Sequence, residues 1–114
     1  MDFSYSSEDF DNYKLITLYG NLSLSVCSDF ERFLRENLKK QNIVIDMKDI
    51  RVVTTSGMNI FVTAGIDAKN IGKRVIIMRP GSDLREMIER MHNYEYFIIV
   101  DSIEEAKMKI KYYT

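Results

Sequence analysis

Short, uninterrupted apolar runs constrain the fold of this chain more than any other feature of its sequence. The clearest are residues 43–45, 75–78 and 97–100. A strand with one face in water alternates polar and apolar residues, so uninterrupted runs indicate strands that are covered on both faces. The segments between these runs have apolar residues at helical spacing. Strands that alternate with single helices predict right-handed βαβ crossovers and a largely parallel sheet.

Four segments show the helical pattern, in which apolar residues recur three or four positions apart. The residues on these stripes are Phe30, Phe33, Leu34 and Leu38 in the first; Met58, Phe61, Val62, Gly65 and Ile66, followed by Lys69, in the second; Leu84, Met87, Ile88 and Met91 in the third; and Ile103, Ala106 and Ile110 in the fourth. Gly72 is placed to end the second helix, and Ser82 to cap the third. Ser102 and Glu105 form a capping-box sequence for the fourth.

The N-terminal part of the chain predicts a β-hairpin. Residues 13–19 are rich in β-branched and aromatic residues, which favour a strand, and Gly20-Asn21 predicts a turn after it. We expect residues 3–6 to pair with this strand. The sequence therefore predicts one small α/β domain over residues 1–114, with a mixed, largely parallel sheet of four or five strands packed with about four helices.

Length and charge exclude several classes of protein. A chain of 114 residues has room for one ordinary domain, and its single cysteine, Cys27, excludes a disulfide scaffold or a cysteine-based zinc site. The formal net charge of −1 argues against a nucleic-acid partner that is bound through its phosphates. The acidic N-terminus is unlike a secretory signal, and the longest uncharged apolar run, residues 96–100, is far too short to span a bilayer. These features predict a soluble cytoplasmic protein.

Residues that could form a catalytic or cofactor site are scarce. His92 is the only histidine, so a two-histidine metal motif is excluded, and no suitably spaced acid or serine marks it as a catalytic base. The five glycines are too far apart for a phosphate-binding or dinucleotide loop. We therefore expect no catalytic residue, no metal and no cofactor.

Three consecutive hydroxyl residues, Thr54, Thr55 and Ser56, stand at the start of the second predicted helix. One such side chain can cap a helix by accepting a hydrogen bond from an otherwise unpaired amide, which is worth about 1 kcal/mol. Two hydroxyls are then left at a helix N-terminus, where amides and the helix dipole favour an anion such as phosphate. The segment also follows a buried strand, at the edge where open α/β sheets carry their sites. The residues leave two interpretations open: a cap alone, or a phosphate-bearing or partner-binding site.

This segment resembles the central motif of the STAS domain family, the sulfate transporter and anti-sigma factor antagonist domains, and the bacterial antagonists in particular. The family motif is an apolar strand ending in Asp, a short loop with spaced apolar residues, and Asp-Ser-Ser/Thr-Gly-Leu at the start of a helix. Here residues 43–46 match the strand, Ile50 and Val53 match the loop, and residues 54–58 match the helix start. Residues 20–22 resemble a further family pattern, Gly-x-Leu, and the element order fits over essentially the whole chain. The resemblance implies a small α/β sheet backed by helices on one main side.

In the antagonists, the residue directly after the motif Asp is phosphorylated by a partner that is both protein kinase and anti-sigma factor, and a dedicated protein phosphatase reverses the reaction. The unphosphorylated antagonist binds that partner and frees the sigma factor. The resemblance therefore implies a regulatory protein that is not an enzyme, with Thr55 as the phosphoacceptor and Ser56 as the neighbouring candidate. The partner-binding residues that it implies are Thr54, Thr55, Ser56, Gly57 and Met58.

Thr54 stands where the family has Asp, so the loop carries one negative charge fewer. This departure supports an alternative function, a STAS scaffold or oligomerising subunit of a signalling or transport complex that is not phosphorylated. A homodimer is compatible with either function. A third hypothesis, a receiver-like phosphoacceptor, needs a cluster of carboxylates around a metal ion, which Asp46 alone does not provide.

Overall fold

The structure, a computed structural model, describes residues 3–23, 28–90 and 97–113. The strands and helices of these ranges, in chain order, are β1 (Ser4–Asp9), β2 (Tyr13–Leu22), α1 (Ser28–Leu38), β3 (Asn42–Asp46), β4 (Ile50–Val53), α2 (Thr55–Asn70), β5 (Val75–Met78), α3 (Ser82–Arg90), β6 (Phe97–Val100) and α4 (Ile103–Tyr113). The predicted alternation of strands and helices is confirmed, and the ends of the three apolar strands agree with the prediction to within one residue. The predictions made for Cys27, Met91 and His92 lie outside the described residues.

The sheet is mixed and largely parallel, as predicted. Its strand order is β1-β2-β3-β5-β6; β1 pairs antiparallel with β2, and the other neighbours in this order are parallel. β3 and β5 lie in the middle, and every residue of both strands is buried. A strand covered on both faces has no side in water, which explains why residues 43–45 and 75–78 are apolar throughout.

Helices cover both faces of the sheet. Ile43 and Ile45 of β3 pack in a core to which α1, α2 and α3 contribute. Val44, between them, faces the other way and packs in a second core with Ala106 and Ile110 of α4. Three of the four helices of the described ranges therefore lie on one side of the sheet, which agrees with the arrangement implied by the resemblance.

The predicted turn at Gly20-Asn21 is wrong. β2 continues to Leu22, and its pairing register shifts between Gly20 and Asn21. Gly20 has a φ of +89°, which a residue without Cβ adopts without strain. From Gly20 to Leu22, across this shift, β2 pairs in parallel with β4, a four-residue strand that the family motif places in a loop. A glycine within a strand pattern can mark a local irregularity instead of a turn, and here pairing with β4 keeps the chain extended.

Helix α2 buries a broader face than its apolar pattern predicts. Val62 and Ile66 of the predicted stripe are only half-buried, and Lys69 at its end is exposed. The buried residues are Gly57, Met58, Ile60, Phe61, Ala64, Gly65 and Ala68. The small residues Ala64 and Ala68 on this face allow close packing, and the predicted stripe did not include them.

Hydrogen bonds at the helix starts only partly follow the predicted caps. The Ser102 Oγ accepts a hydrogen bond from the Glu105 amide at 3.1 Å, as a capping box requires, but the Glu105 carboxylate accepts from the Asp101 amide at 2.8 Å. The cap of α3 is Gly81 and not the predicted Ser82. The Gly81 carbonyl accepts the first helical hydrogen bond of α3, and glycine is tolerated at such a position.

Helix α2 ends in a Schellman motif. The Gly72 amide donates to the Lys69 carbonyl at 3.3 Å, and the Lys73 amide donates to the Ala68 carbonyl at 2.8 Å. Gly72 has a φ of +75°, the left-handed conformation that this motif requires. The predicted role of Gly72 as the residue that ends the helix is confirmed.

This motif predicts that two exposed glycines respond differently to substitution. We expect Gly72→Ala to lower the free energy of unfolding by about 1 kcal/mol, because a Cβ is disfavoured at positive φ. Gly81→Ala is the matched control, since its φ lies outside that region and no atom lies within 4 Å of the added Cβ. We expect its effect to stay within about 0.5 kcal/mol. Denaturant titration measures both variants, and equal losses would contradict the assignment.

Candidate functional site

Thr54 is the N-cap of α2, at the carboxyl end of the sheet. Its backbone is extended (φ −75°, ψ 163°), and its Oγ1 accepts a hydrogen bond from the Gly57 amide at 3.0 Å. Its carbonyl accepts the first helical hydrogen bond, from the Met58 amide, at 2.8 Å. The capping role expected for one of the three hydroxyls therefore belongs to Thr54, and two hydroxyls remain.

Thr55 and Ser56 occupy the first two positions of α2, and both are exposed. The Ser56 Oγ lies 3.4 Å from the Thr54 Oγ1, at the long end of a hydrogen bond. No described residue forms a hydrogen bond with the Thr55 hydroxyl. Thr55 therefore presents the less engaged hydroxyl, at the positive end of a 16-residue helix.

Glycine is required at position 57 because α2 starts directly on the end of β2. A Cβ on Gly57 would lie 2.7 Å from the Leu22 carbonyl oxygen, a distance that Cβ atoms do not reach, and 3.2 Å from the Thr54 Oγ1. The same Leu22 carbonyl accepts a hydrogen bond from the Thr54 amide at 3.1 Å. One backbone oxygen of β2 therefore positions both the cap and the first turn of the helix.

Gly57 and Met58, two members of the predicted partner-binding set, are buried. Met58 is 0% exposed and packs in the core shared by α1, α2 and α3. Neither residue offers a side chain to a partner in this structure. Their burial holds the first turn of α2 against the core. Thr54, Thr55 and Ser56 form the exposed part of the predicted set.

Strand β4 adds exposed residues that the sequence analysis did not include. Arg51 and Val52 are exposed, with Val52 at 53%, while Ile50 and Val53 on either side of them are half-buried. Three of these four residues are β-branched, a signal that favours a strand. The side that faces water is set by the pairing of β4 with β2, which the sequence does not reveal. We call the three exposed hydroxyl residues that follow β4 in the chain the hydroxyl surface; its members are Thr54, Thr55 and Ser56.

Asp46, the last residue of β3, is buried in an ion pair. Its Oδ2 lies 2.5 Å from the Arg79 Nη2, and its Oδ1 accepts a hydrogen bond from the Lys48 amide at 3.1 Å. Arg79 has a φ of +55°, and its amide donates to the Val100 carbonyl at 2.9 Å. These contacts connect the chain at the ends of β3, β5 and β6, and they give Asp46 a structural role.

Features of other protein classes do not occur in the described ranges. They contain no group of three or more His, Cys, Asp or Glu side chains that could hold a metal ion, so a receiver-like site has no support there. In the same ranges, no helix is long and apolar enough to cross a membrane.

A model of the STAS domain family matches residues 5–106. The chain belongs to the STAS domain family. The match covers all six strands from Tyr5 onward and the start of α4, and so includes the hydroxyl surface. The resemblance drawn from the motif at residues 54–58 is confirmed.

Solved structures of this fold cover nearly the whole STAS chain. A Thermotoga maritima protein assigned as an anti-sigma factor antagonist has a TM-score of 0.83 at 14% identity, with 94% of each chain covered. An anti-sigma factor antagonist from Mycobacterium paratuberculosis has a TM-score of 0.77 at 16% identity, with 96% of this chain and 95% of its own covered.

The Bacillus anti-sigma factor antagonist SpoIIAA is similar in both of its forms. Its unphosphorylated form has a TM-score of 0.75 at 14% identity and covers 93% of this chain and 96% of its own. Its phosphorylated form has the same score and identity, with 94% and 99% covered. At these identities the likeness establishes the fold, which is the predicted small α/β domain.

The hydrogen bonds of the helix start predict unequal roles for neighbouring hydroxyls. We expect Thr54→Val to lower the free energy of unfolding by about 1 kcal/mol, because it leaves the Gly57 amide without its acceptor. Thr55→Val is the matched control, since it removes a hydroxyl that no described residue binds. Its effect should stay within about 0.5 kcal/mol. Equal destabilisation of the two variants in urea titrations would show that the Thr54 hydroxyl contributes no more to the free energy of unfolding than the Thr55 hydroxyl.

Proposed function

We propose that this STAS chain is a protein-binding regulatory switch of the anti-sigma factor antagonist type, acting in the bacterial cytoplasm and without catalytic activity of its own. It binds an anti-sigma factor that is also a Ser/Thr kinase, which frees a sigma factor for transcription. Phosphorylation of Thr55 ends this binding, and a protein phosphatase restores it. The observation that carries the proposal is the pair of exposed hydroxyls, Thr55 and Ser56, at the start of α2 in a STAS domain.

Access favours Thr55 over Ser56 as the phosphoacceptor. A kinase must bring the terminal phosphate of ATP into line with the attacking hydroxyl, so that hydroxyl must be reachable. The Ser56 Oγ lies 3.4 Å from the capping oxygen of Thr54, whereas Thr55 is exposed and has no such contact with a described residue.

A phosphate on Thr55 suits the electrostatics of the helix start. It adds a charge of about −1.5 to −2, and amides at a helix N-terminus favour such a charge. The fold should therefore tolerate the modification. Phosphorylation should instead lower the affinity for the partner, because the partner's surface would have to accommodate a dianion in place of a neutral hydroxyl.

In a relative of the same fold, phosphorylation leaves the fold in place. SpoIIAA has been solved in unphosphorylated and phosphorylated forms, and both have a TM-score of 0.75 with this chain. The fold of that protein therefore exists in both states.

The replacement of the motif Asp by Thr54 keeps the helix cap. Asp and Thr side chains both accept a hydrogen bond from the amide of the first turn, and the Thr54 Oγ1 does so here. The geometry that exposes Thr55 thus does not depend on the missing carboxylate. The remaining difference is the loss of one negative charge, which changes the electrostatic potential of the loop that a kinase would bind.

The lost charge favours a second candidate function, a STAS scaffold that binds partners without being phosphorylated. The intact mass of the purified protein, measured after incubation with native cell extract and ATP, separates the two candidates. A gain of one phosphoryl group that Thr55→Val abolishes supports the switch. No gain, or a gain that persists in Thr55→Val and disappears in Ser56→Ala, contradicts the assignment to Thr55.

A charge at position 55 should weaken partner binding without weakening the fold. We expect Thr55→Glu to lower affinity for the kinase partner by about a hundredfold, equivalent to roughly 3 kcal/mol, because the interface must desolvate or repel the carboxylate. Thr63→Glu is the matched control, with the same change at an exposed threonine two turns further along α2. Calorimetric titration gives the affinities, and thermal unfolding should give nearly equal Tm values. Equal affinity of wild type and Thr55→Glu would overturn the proposal.

A further inference from the structure

Strand β1 is an edge of the sheet with an open side. Among the strands of the described ranges it pairs with β2 alone, through a regular register over all six residues of the strand. Every residue of β1 is exposed except Tyr5, which is half-buried. An edge strand presents backbone donors and acceptors that another strand can pair, and proteins usually protect such edges with Lys, Pro or a bulge. β1 contains no Lys, no Pro and no bulge, and its two charged residues, Glu8 and Asp9, lie together at its C-terminal end.

The register identifies which backbone groups of β1 face outward. The Phe10 amide donates to the Tyr13 carbonyl at 2.9 Å, directly after the strand. Hydrogen-bonded and non-hydrogen-bonded pairs alternate along an antiparallel ladder, so the even-numbered residues of β1 bond to β2. The amides and carbonyls of Tyr5, Ser7 and Asp9 therefore point away from β2.

We propose that a second copy of this chain pairs with this edge, β1 against β1, in an antiparallel arrangement with Ser7 on the two-fold axis. In such a dimer the outward groups of one copy must oppose the outward groups of the other. Placing Ser7 opposite itself satisfies this condition, and it sets Tyr5 opposite Asp9. The two sheets then become one continuous sheet, and the interface is the same surface on both copies.

The side chains of β1 are compatible with this register. It sets Glu8 opposite Ser6 and Asp9 opposite Tyr5, so each carboxylate directly opposes a hydroxyl residue, while the two exposed Glu8 side chains are diagonal neighbours. Lys14 lies 2.7 Å from the Asp9 carboxylate and, by donating a hydrogen bond to it, holds the pKa of Asp9 below its usual value. Asp9 is therefore ionised with its charge balanced at neutral pH. The formal net charge of −1 adds little repulsion between copies.

The proposed dimer is independent of the proposed switch, because it uses the edge of β1 and leaves the hydroxyl surface unused. Thr55→Glu should therefore leave the dimer intact. Failure of the dimer would not affect the proposal for Thr55, and an unphosphorylated Thr55 would not affect the dimer.

Sedimentation or light scattering across a range of protein concentrations tests the association. We expect the mean mass to rise from monomer to dimer, and Ser7→Pro to weaken the dimer by about tenfold or more. Proline removes the outward Ser7 amide and no bond to β2, so the fold should persist. Ser82→Pro is the matched control, because proline is accepted at the first position of a helix such as α3.

Disulfide trapping tests the register directly, in a Cys27→Ser background. Opposed residues of a hydrogen-bonded pair have Cα atoms about 5.5 Å apart, within the range that a disulfide spans, so Ser7→Cys should cross-link two copies under mild oxidation. Ser4→Cys on the same strand should not, because its two copies would lie about 20 Å apart, six residues along the strand.

Three results would overturn the proposal. They are a monomer at every concentration, a dimer that Ser7→Pro leaves unchanged while the variant remains folded, and cross-linking of Ser4→Cys as efficient as that of Ser7→Cys.

Discussion

The candidate site of this STAS domain depends on one backbone oxygen, the carbonyl of Leu22. It accepts the Thr54 amide at 3.1 Å, and it lies so close to Gly57 that a Cβ there would be 2.7 Å away. This contact brings the first turn of α2 onto the end of β2, and it can form only because β2 continues past Gly20 to reach it. Buried backbone carbonyls need a donor, so the helix start and the end of the strand satisfy one another.

In this arrangement the adjacent hydroxyls of Thr54 and Thr55 have different structural roles. Thr54 faces the amides of the first turn and acts as the cap, while Thr55, one residue later, is exposed. A surface residue that carries little of the folding energy can change its charge without unfolding the domain. That separation is what a regulatory switch requires, and it is available here because α2 is anchored by Leu22, Gly57 and the buried Met58 instead of by Thr55.

Much of the fold could be predicted from particular residues. The runs at 43–45 and 75–78 are apolar because both faces of β3 and β5 are covered, and the positive φ of Gly72 agrees with its predicted place at the end of α2. The errors arose where pairing across the chain overrode local preference. Gly20-Asn21 has the composition of a turn, yet pairing with β4 keeps it extended. The motif also includes Met58 in the site, but only the packing of α2 shows that its side chain is in the core.

The sequence by itself determined the α/β class and the place of the three hydroxyls at a helix start, because hydrophobic periodicity and cap chemistry are local properties. The motif at residues 54–58 indicated the family by resemblance. The tertiary structure alone decided which hydroxyl caps the helix, that Gly57 and Met58 are buried, and that Arg51 and Val52 are exposed. It also decided that β1 is an edge with outward backbone groups. These properties depend on contacts between segments far apart in the chain, which no local pattern of residues encodes.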